Sequence, residues 1–274
     1  MLRAVVLSLV IGLLLPKAAS AHGDLHEQIE QLTANLKRDP TNAELLLKRA
    51  DLHRAHGDFS AAAADYDLVQ KRAPDLHAVH LGRGKLLLAM ERLEAAEAAL
   101  DHFLAASPPH VEGLLARARV RTKWKAHASA ARDFAAAIKV SPRPEPEQYL
   151  EHAEALVAAG DRNIDEALRV LDAGMAKLGL LPTLGLFAIK LEVKQGAFDP
   201  ALERIERLSA GTARKESWLE RRGDVLQAAG RSADAHAAYR AAIENVDLLP
   251  THLKQKKATI DLRERLQQKL NVAD

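Results

Sequence analysis

The sequence predicts an all-α protein, a right-handed α-solenoid of stacked helix–turn–helix repeats with a capping helix at each end. Three observations carry that prediction. Six alanines, Ala62, Ala96, Ala130, Ala167, Ala201 and Ala235, fall at spacings of 34, 34, 37, 34 and 34 residues. Four residues after each stands a large apolar side chain: Tyr66, Leu100, Phe134, Leu171, Ile205 and Tyr239. Twelve residues before the first three alanines are Ala50, Gly84 and Ala118, and twelve after them are Pro74, Pro108 and Pro142. Antiparallel helices approach closely only where a small side chain permits it, and a large one a turn later fills the space beside it. A single pair cannot bury its apolar face, so several must stack.

The elements follow in order. In segment 1–21, Arg3 precedes an apolar stretch over 4–15, then Pro16 and the small residues Ala19-Ser20-Ala21. This pattern predicts a signal peptide cleaved after Ala21, and hence a periplasmic or secreted protein. Twelve residues of helix reach about 18 Å, short of the roughly 30 Å hydrocarbon core, and no later segment is long and apolar enough, so the mature form is expected to carry no membrane span. Lipidation after the signal would need a cysteine, and the chain has none. Segment 22–42 reads as a capping helix. Asp24 and Glu27 form a capping box, Leu25, Ile29, Leu32 and Leu36 share one face, and Asp39-Pro40 ends it. Six repeats follow, at 43–76, 77–110, 111–145, 146–181, 182–215 and 216–249. The first has Gly57-Asp58-Phe59 in its turn; the fourth carries two extra residues after Gly160-Asp161 and should bulge at Arg162 to Ile164. The fifth puts Ile189 where a small residue is expected. Segment 250–274 reads as the C-terminal capping helix, with Leu253, Ile260, Leu266 and Leu270 opposite Lys254, Lys257, Arg263, Glu264 and Lys269. The total is about fourteen helices.

Over about 43–247 this frame resembles the tetratricopeptide repeat family, most clearly in the first repeat with its Ala62, Tyr66 and Pro74. The resemblance implies that the first helix of each repeat lines a concave groove, with repeat positions two, five, six, nine, twelve and thirteen facing it. Position nine then reads Asp51, Lys85, Arg119, Glu154, Lys190 and Asp224. Lys123 adds to its centre, and Arg54 and Lys194 flank it. A basic middle between acidic shoulders suits an extended peptide with negative charge; the alternative is a solvated face of alternating signs. Members that clamp a carboxylate-ended chaperone tail use Lys and Asn side chains and an Arg where this sequence has Leu47, Asp51, Gly82, Glu112 and Ala116. That specificity is not expected. The expected function is a non-enzymatic scaffold that binds a protein or extended peptide.

No catalytic signature is present. His26-Glu27 is not followed by a second His at zincin spacing, no phosphate loop forms, and no Gly-x-Ser-x-Gly occurs. No cofactor is expected. The absence of Cys removes disulfides, thiolate metal sites and thiol nucleophiles together. Histidine is the suggestive residue, with twelve copies. His53 with His56, and His77 with His80, are i,i+3 pairs, but they fall at opposite ends of successive first helices and cannot form one site. The alternative function is metal handling: cleavage after Ala21 exposes His22, whose amine and ring could hold copper with His26. Arg117, Arg119, Arg121, Lys123 and Lys125 surround Trp124, but alternate spacing spreads them around a helix, and nucleic acid is not an expected partner. Net charge agrees. Of 39 basic and 37 acidic residues, Arg3 and Lys17 fall in 1–21 with no acidic residue, leaving 37 of each sign. Overall charge therefore favours neither nucleic acid nor an anionic membrane.

Overall fold

The computed structural model describes residues 18–107 and 109–271, with side chains from Asp24 onward. The predicted signal segment up to residue 17, and the side chain of His22, lie outside the described residues. Among those described are fifteen α-helices, one short 3-10 helix and no strand. After α1 (Ala18–Arg38) come two pairs of antiparallel helices, α2 (Ala43–His56) with α3 (Phe59–Arg72) and α4 (Ala78–Ala89) with α5 (Leu93–Ala106); α6 (Val111–Lys123) and α7 (His127–Val140) follow in the chain. Next are α8 (Pro146–Ala158) with α9 (Ile164–Leu178), α10 (Pro182–Lys194) with α11 (Phe198–Ser209), and α12 (Glu216–Ala228) with α13 (Ser232–Asp247). Two helices close the chain, α14 (Thr251–Lys254) and α15 (Lys257–Asn271). The four-residue α14 is the element beyond the fourteen expected. The chain forms two compact units, residues 1–120 and 121–274.

The helix pairs stack as the alanine spacing requires. All six alanines are 0% exposed, and the six large residues a turn later are 0–3% exposed. At Gly84 the fit excludes even a methyl group, because a β-carbon there would lie 2.5 Å from Leu100 Cγ. Ile189 is nonetheless buried in the core of unit 2 beside Ala201 and Ile205. In that repeat the close approach moves to neighbouring positions: Ala188 is fully buried, and a β-carbon on Gly185 would run into Leu208.

The turns inside the pairs repeat one geometry. Gly57, Glu91, Lys125, Gly196 and Gly230 all have positive φ, between 59° and 94°. After each, the next residue's N–H donates to a carbonyl five residues back: Asp58 to His53, Arg92 to Leu87, Ala126 to Arg121, Ala197 to Glu192 and Arg231 to Leu226, at 2.8–2.9 Å. This is the left-handed helix stop that closes orphan carbonyls. Glycine suits it, yet Glu91 and Lys125 adopt it too. The fourth repeat departs: Gly160 is followed by a 3-10 turn at Asp161–Asn163, which absorbs the two extra residues before α9 starts.

Both ends differ from expectation. The described part of α1 already includes Ala18, so Asp24 lies inside the helix and is not its N-cap; the helix-favouring Ala18-Ala19-Ser20-Ala21 lies upstream of it. Ile29 and Leu36 still face inward, at 8% and 6% exposure. At the other end the helix breaks between Lys254 and Lys257, which shifts its phase. Ile260 is therefore 45% exposed, while Thr259, Leu262 and Leu266 take the buried face.

Candidate functional site

In unit 1, the position-nine residues sit on first helices and are already engaged. Asp51 accepts a hydrogen bond from the Tyr66 hydroxyl at 2.7 Å, with Arg54 Nε at 3.8 Å. Burial, then the hydrogen bond to Asp51 and its charge, pushes the Tyr66 hydroxyl above its ordinary value. Lys85 is half-buried and ion-paired with Glu112 on α6. Arg119 is exposed on α6. Behind these residues runs a ladder with the repeat's own period. Arg83 donates to Asp67 and Arg117 to Asp101, each at 2.6 Å and each joining a second helix to the next first helix. Arg49 makes a two-pronged pair with Asp65, 2.7 Å on both sides, and reaches Thr33 of α1 at 3.1 Å.

In unit 2, Lys123, Lys190 and Lys194 are exposed. Partial desolvation, then neighbouring Glu151, raises the Glu154 carboxyl, while Lys190 pulls the other way. Lys194 pairs with Asp161 of the 3-10 turn. Asp224 repeats the arrangement of Asp51, accepting from the Tyr239 hydroxyl at 2.8 Å. It also receives Lys269 of α15 at 2.6 Å. Lys269 and Arg265 reach Glu220 one turn earlier, at 3.0 and 3.3 Å. Burial alone would raise Glu220, but these two cations hold it below the usual carboxylate range. The acidic shoulders Asp51 and Asp224 are thus both tethered from within. The signal was present in the sequence, since each Asp stands fifteen residues before a Tyr that itself follows a core alanine by four.

Unit 2 also holds a buried charge cluster. Arg204, 5% exposed, donates to Glu192 at 2.6 Å and to Asp172 at 2.5 Å. At the start of α12 and α15 lies a cavity of about 630 Å³ lined by Arg214, Trp218, Lys256 and Arg265 among others.

The histidines form small groups, in which the expected pairs His53 with His56 and His77 with His80 are joined by His26 and His102. His26 lies on α1 with Nε2 3.3 Å from Glu30, and its ring is 6.4 Å from that of His56. His56 Nδ1 is 2.9 Å from Asp58, and His53 Nδ1 is 3.6 Å from the same carboxylate. His80 stacks on His102 of α5 with ring centres 5.4 Å apart and lies 6.5 Å from His77. Burial, then His102, His77 and Arg83, lowers the His80 imidazole. Among the described residues, no three His, Asp or Glu side chains are arranged to hold a metal ion. No described helix is long and apolar enough to cross a membrane.

Comparison with known proteins adds the following. A family model described as a tetratricopeptide repeat matches residues 15–77 and 81–146, and one described as a tetratricopeptide repeat-like domain matches 180–271. A rice (Oryza sativa subsp. japonica) SGT1 homolog is 31% identical over 85 residues, which is 31% of this chain and 23% of that protein. The crystal structure of the C-terminal part of a TPR repeat-containing protein from Cytophaga hutchinsonii superposes with a TM-score of 0.64 at 14% identity, covering 87% of this chain and 94% of that one. A tetratricopeptide repeat protein from Parabacteroides merdae gives 0.53 at 19% identity, covering 91% and 95%. YrrB, described as a TPR protein with an unusual peptide-binding site, gives 0.53 at 13% identity, covering 74% and 97%. At these identities the structures share the fold alone.

Proposed function

The chain belongs to the tetratricopeptide repeat family, and from that premise we propose that it is an exported, non-enzymatic scaffold holding a protein or extended peptide on the faces of its first helices. The observation that carries the reading is the stacking itself. Within each unit the first helices carry charged side chains, of which Arg119 in unit 1 and Lys123 and Lys190 in unit 2 are exposed. Such side chains suit extended partners, because each repeat contributes one small patch and affinity accumulates along the stack. The peptide-binding description of YrrB, a protein of the same fold, supports the same reading. Lys85, Arg119 and Lys123 are the proposed contacts, with Asp51 and Arg54 as further ones on unit 1 and Glu154, Lys190, Lys194 and Asp224 on unit 2.

Export rests on the pattern of residues 1–21. The test takes the chain expressed with its own N-terminus, cross-links it in the envelope of the expressing cell, and maps the linked peptides. The mature mass should begin at His22, the links should fall on first helices, and Lys85→Glu, Arg119→Glu and Lys123→Glu together should abolish them. Links confined to second helices, or retained in full by the triple variant, would sink the groove; an intact residue 1 would sink export.

A further inference from the structure

We propose that the cavity between the starts of α12 and α15 binds a carboxylate-bearing segment of a protein partner, an acidic residue next to an aliphatic one. This deepens the scaffold reading and rests on it. The cavity is an open depression of about 630 Å³. Three cations line it, Arg214, Lys256 and Arg265, against two carboxylates, Glu216 and Asp261.

Those carboxylates do not cancel the cations. Glu216 is 2% exposed and ion-paired to Arg214, so it anchors that guanidinium from the protein side while the Arg214 side chain stays 49% exposed. Arg265 is held from behind in the same way by Glu220, at 3.3 Å through both Nε and Nη2. A guanidinium has five N–H donors, and one fixed by a carboxylate on one edge keeps others for an incoming oxyanion. Asp261 pairs with Lys257, which does not line the cavity, at 3.0 Å, and its charge also acts on Arg265. Lys256 is exposed. The apolar wall is Trp218, half-buried against the unit 2 core, with Leu262 at 4% exposure. Two pre-oriented guanidiniums and an ammonium beside an indole fit a carboxylate whose neighbour is aliphatic.

Trp218 lines the cavity and reports on it directly. In the mature chain carrying Trp124→Phe, Trp218 is the one indole left. The probe is the peptide Ac-Asp-Leu-Glu-Leu-Asp, compared with Ac-Asn-Leu-Gln-Leu-Asn-amide and with inorganic phosphate. The acidic peptide should change Trp218 emission saturably, the amide peptide should not, and Lys256→Glu should weaken the apparent affinity at least tenfold. Arg265→Gln, with its melting curve recorded, gives a second variant with the same expected direction. No response at millimolar peptide, equal response to both peptides, or unchanged affinity in Lys256→Glu would overturn the proposal. Phosphate that saturates at lower concentration than the peptide and blocks it would overturn the peptide assignment. The triple Lys85, Arg119, Lys123 variant separates the two readings. If it loses cross-links while Lys256→Glu keeps them, the groove stands and the cavity falls; the reverse pattern leaves the cavity standing.

Discussion

Gly84 and Leu100 test the small-and-large packing rule most sharply. In Gly84→Ala the new β-carbon would sit 2.5 Å from Leu100 Cγ and 2.7 Å from its Cδ2. The obstacle is the branch point of a fully buried side chain, so it cannot swing clear. Overpacking of this kind costs about 1–3 kcal/mol, and the upper end applies here. Alanine in place of glycine returns about 1 kcal/mol of helix propensity. The net expectation is a loss of about 2 kcal/mol. Leu100→Ala alone should cost about 3–4 kcal/mol by cavity formation. In that background the obstacle is gone, and Gly84→Ala should stabilise by about 1 kcal/mol through propensity. The sign therefore reverses, with a coupling of about 3 kcal/mol. Urea unfolding followed by far-ultraviolet circular dichroism measures all four proteins. Tryptophan fluorescence is a control, because Trp124 and Trp218 both lie in unit 2 while Gly84 lies in unit 1. The destabilised variants should lose helical signal before their fluorescence changes. If Gly84→Ala costs the same in both backgrounds, close packing at this position is not what selects glycine.

Two further outcomes follow from buried groups. Arg204→Leu strands Glu192, which is 4% exposed, and should cost about 3–5 kcal/mol in urea unfolding. Adding Glu192→Leu should recover most of it, and a double variant as unstable as the single would refute a desolvation cause. The raised hydroxyls of Tyr66 and Tyr239 give a pH dependence of definite sign. Their contribution is fully present below the ordinary tyrosine value, about pH 10, and is lost as pH rises above it, because the unfolded chain releases its phenol protons first. Tyr66→Phe with Tyr239→Phe should flatten that fall, and stability already flat from pH 9 to 12 in the parent would contradict it.

Much of the architecture is legible in the sequence because it rests on rules that act within one repeat. A buried alanine and a large residue one turn later mark the contact between paired helices, and all six such positions are buried. The bulge of the fourth repeat is legible for the same reason: two surplus residues must go into the turn. What escapes the sequence depends on neighbours at a distance. Nothing in 250–274 alone says that the chain breaks before Lys257 and rotates Ile260 outward, since both phases offer an apolar stripe. The charges along the first helices can be listed from the sequence. Whether Lys85 meets Glu112, 27 residues on, or Lys269 meets Glu220, 49 residues back, is set by how repeats sit against one another. The cavity lined by Trp218 and Lys256 arises in the same way, from two helix starts far apart in the chain.

The left-handed turns also bear on how the chain acquires its structure. Each turn closes a helix pair with a bond five residues long, and the Arg–Asp ladder and Tyr–Asp tethers add partners fifteen or sixteen residues apart. The side-chain bonds named above close within a repeat or between neighbouring elements, Lys269 to Glu220 at 49 positions being the longest of them, so forming these requires no long loop to close first. Chains whose contacts are this local fold quickly, and a repeat array can start from any well-formed pair and grow outward in both directions. Under the export proposed above, the protein would have to gain its structure on the far side of a membrane. A fold that assembles one hairpin at a time, in the order in which the chain emerges, is well suited to that passage.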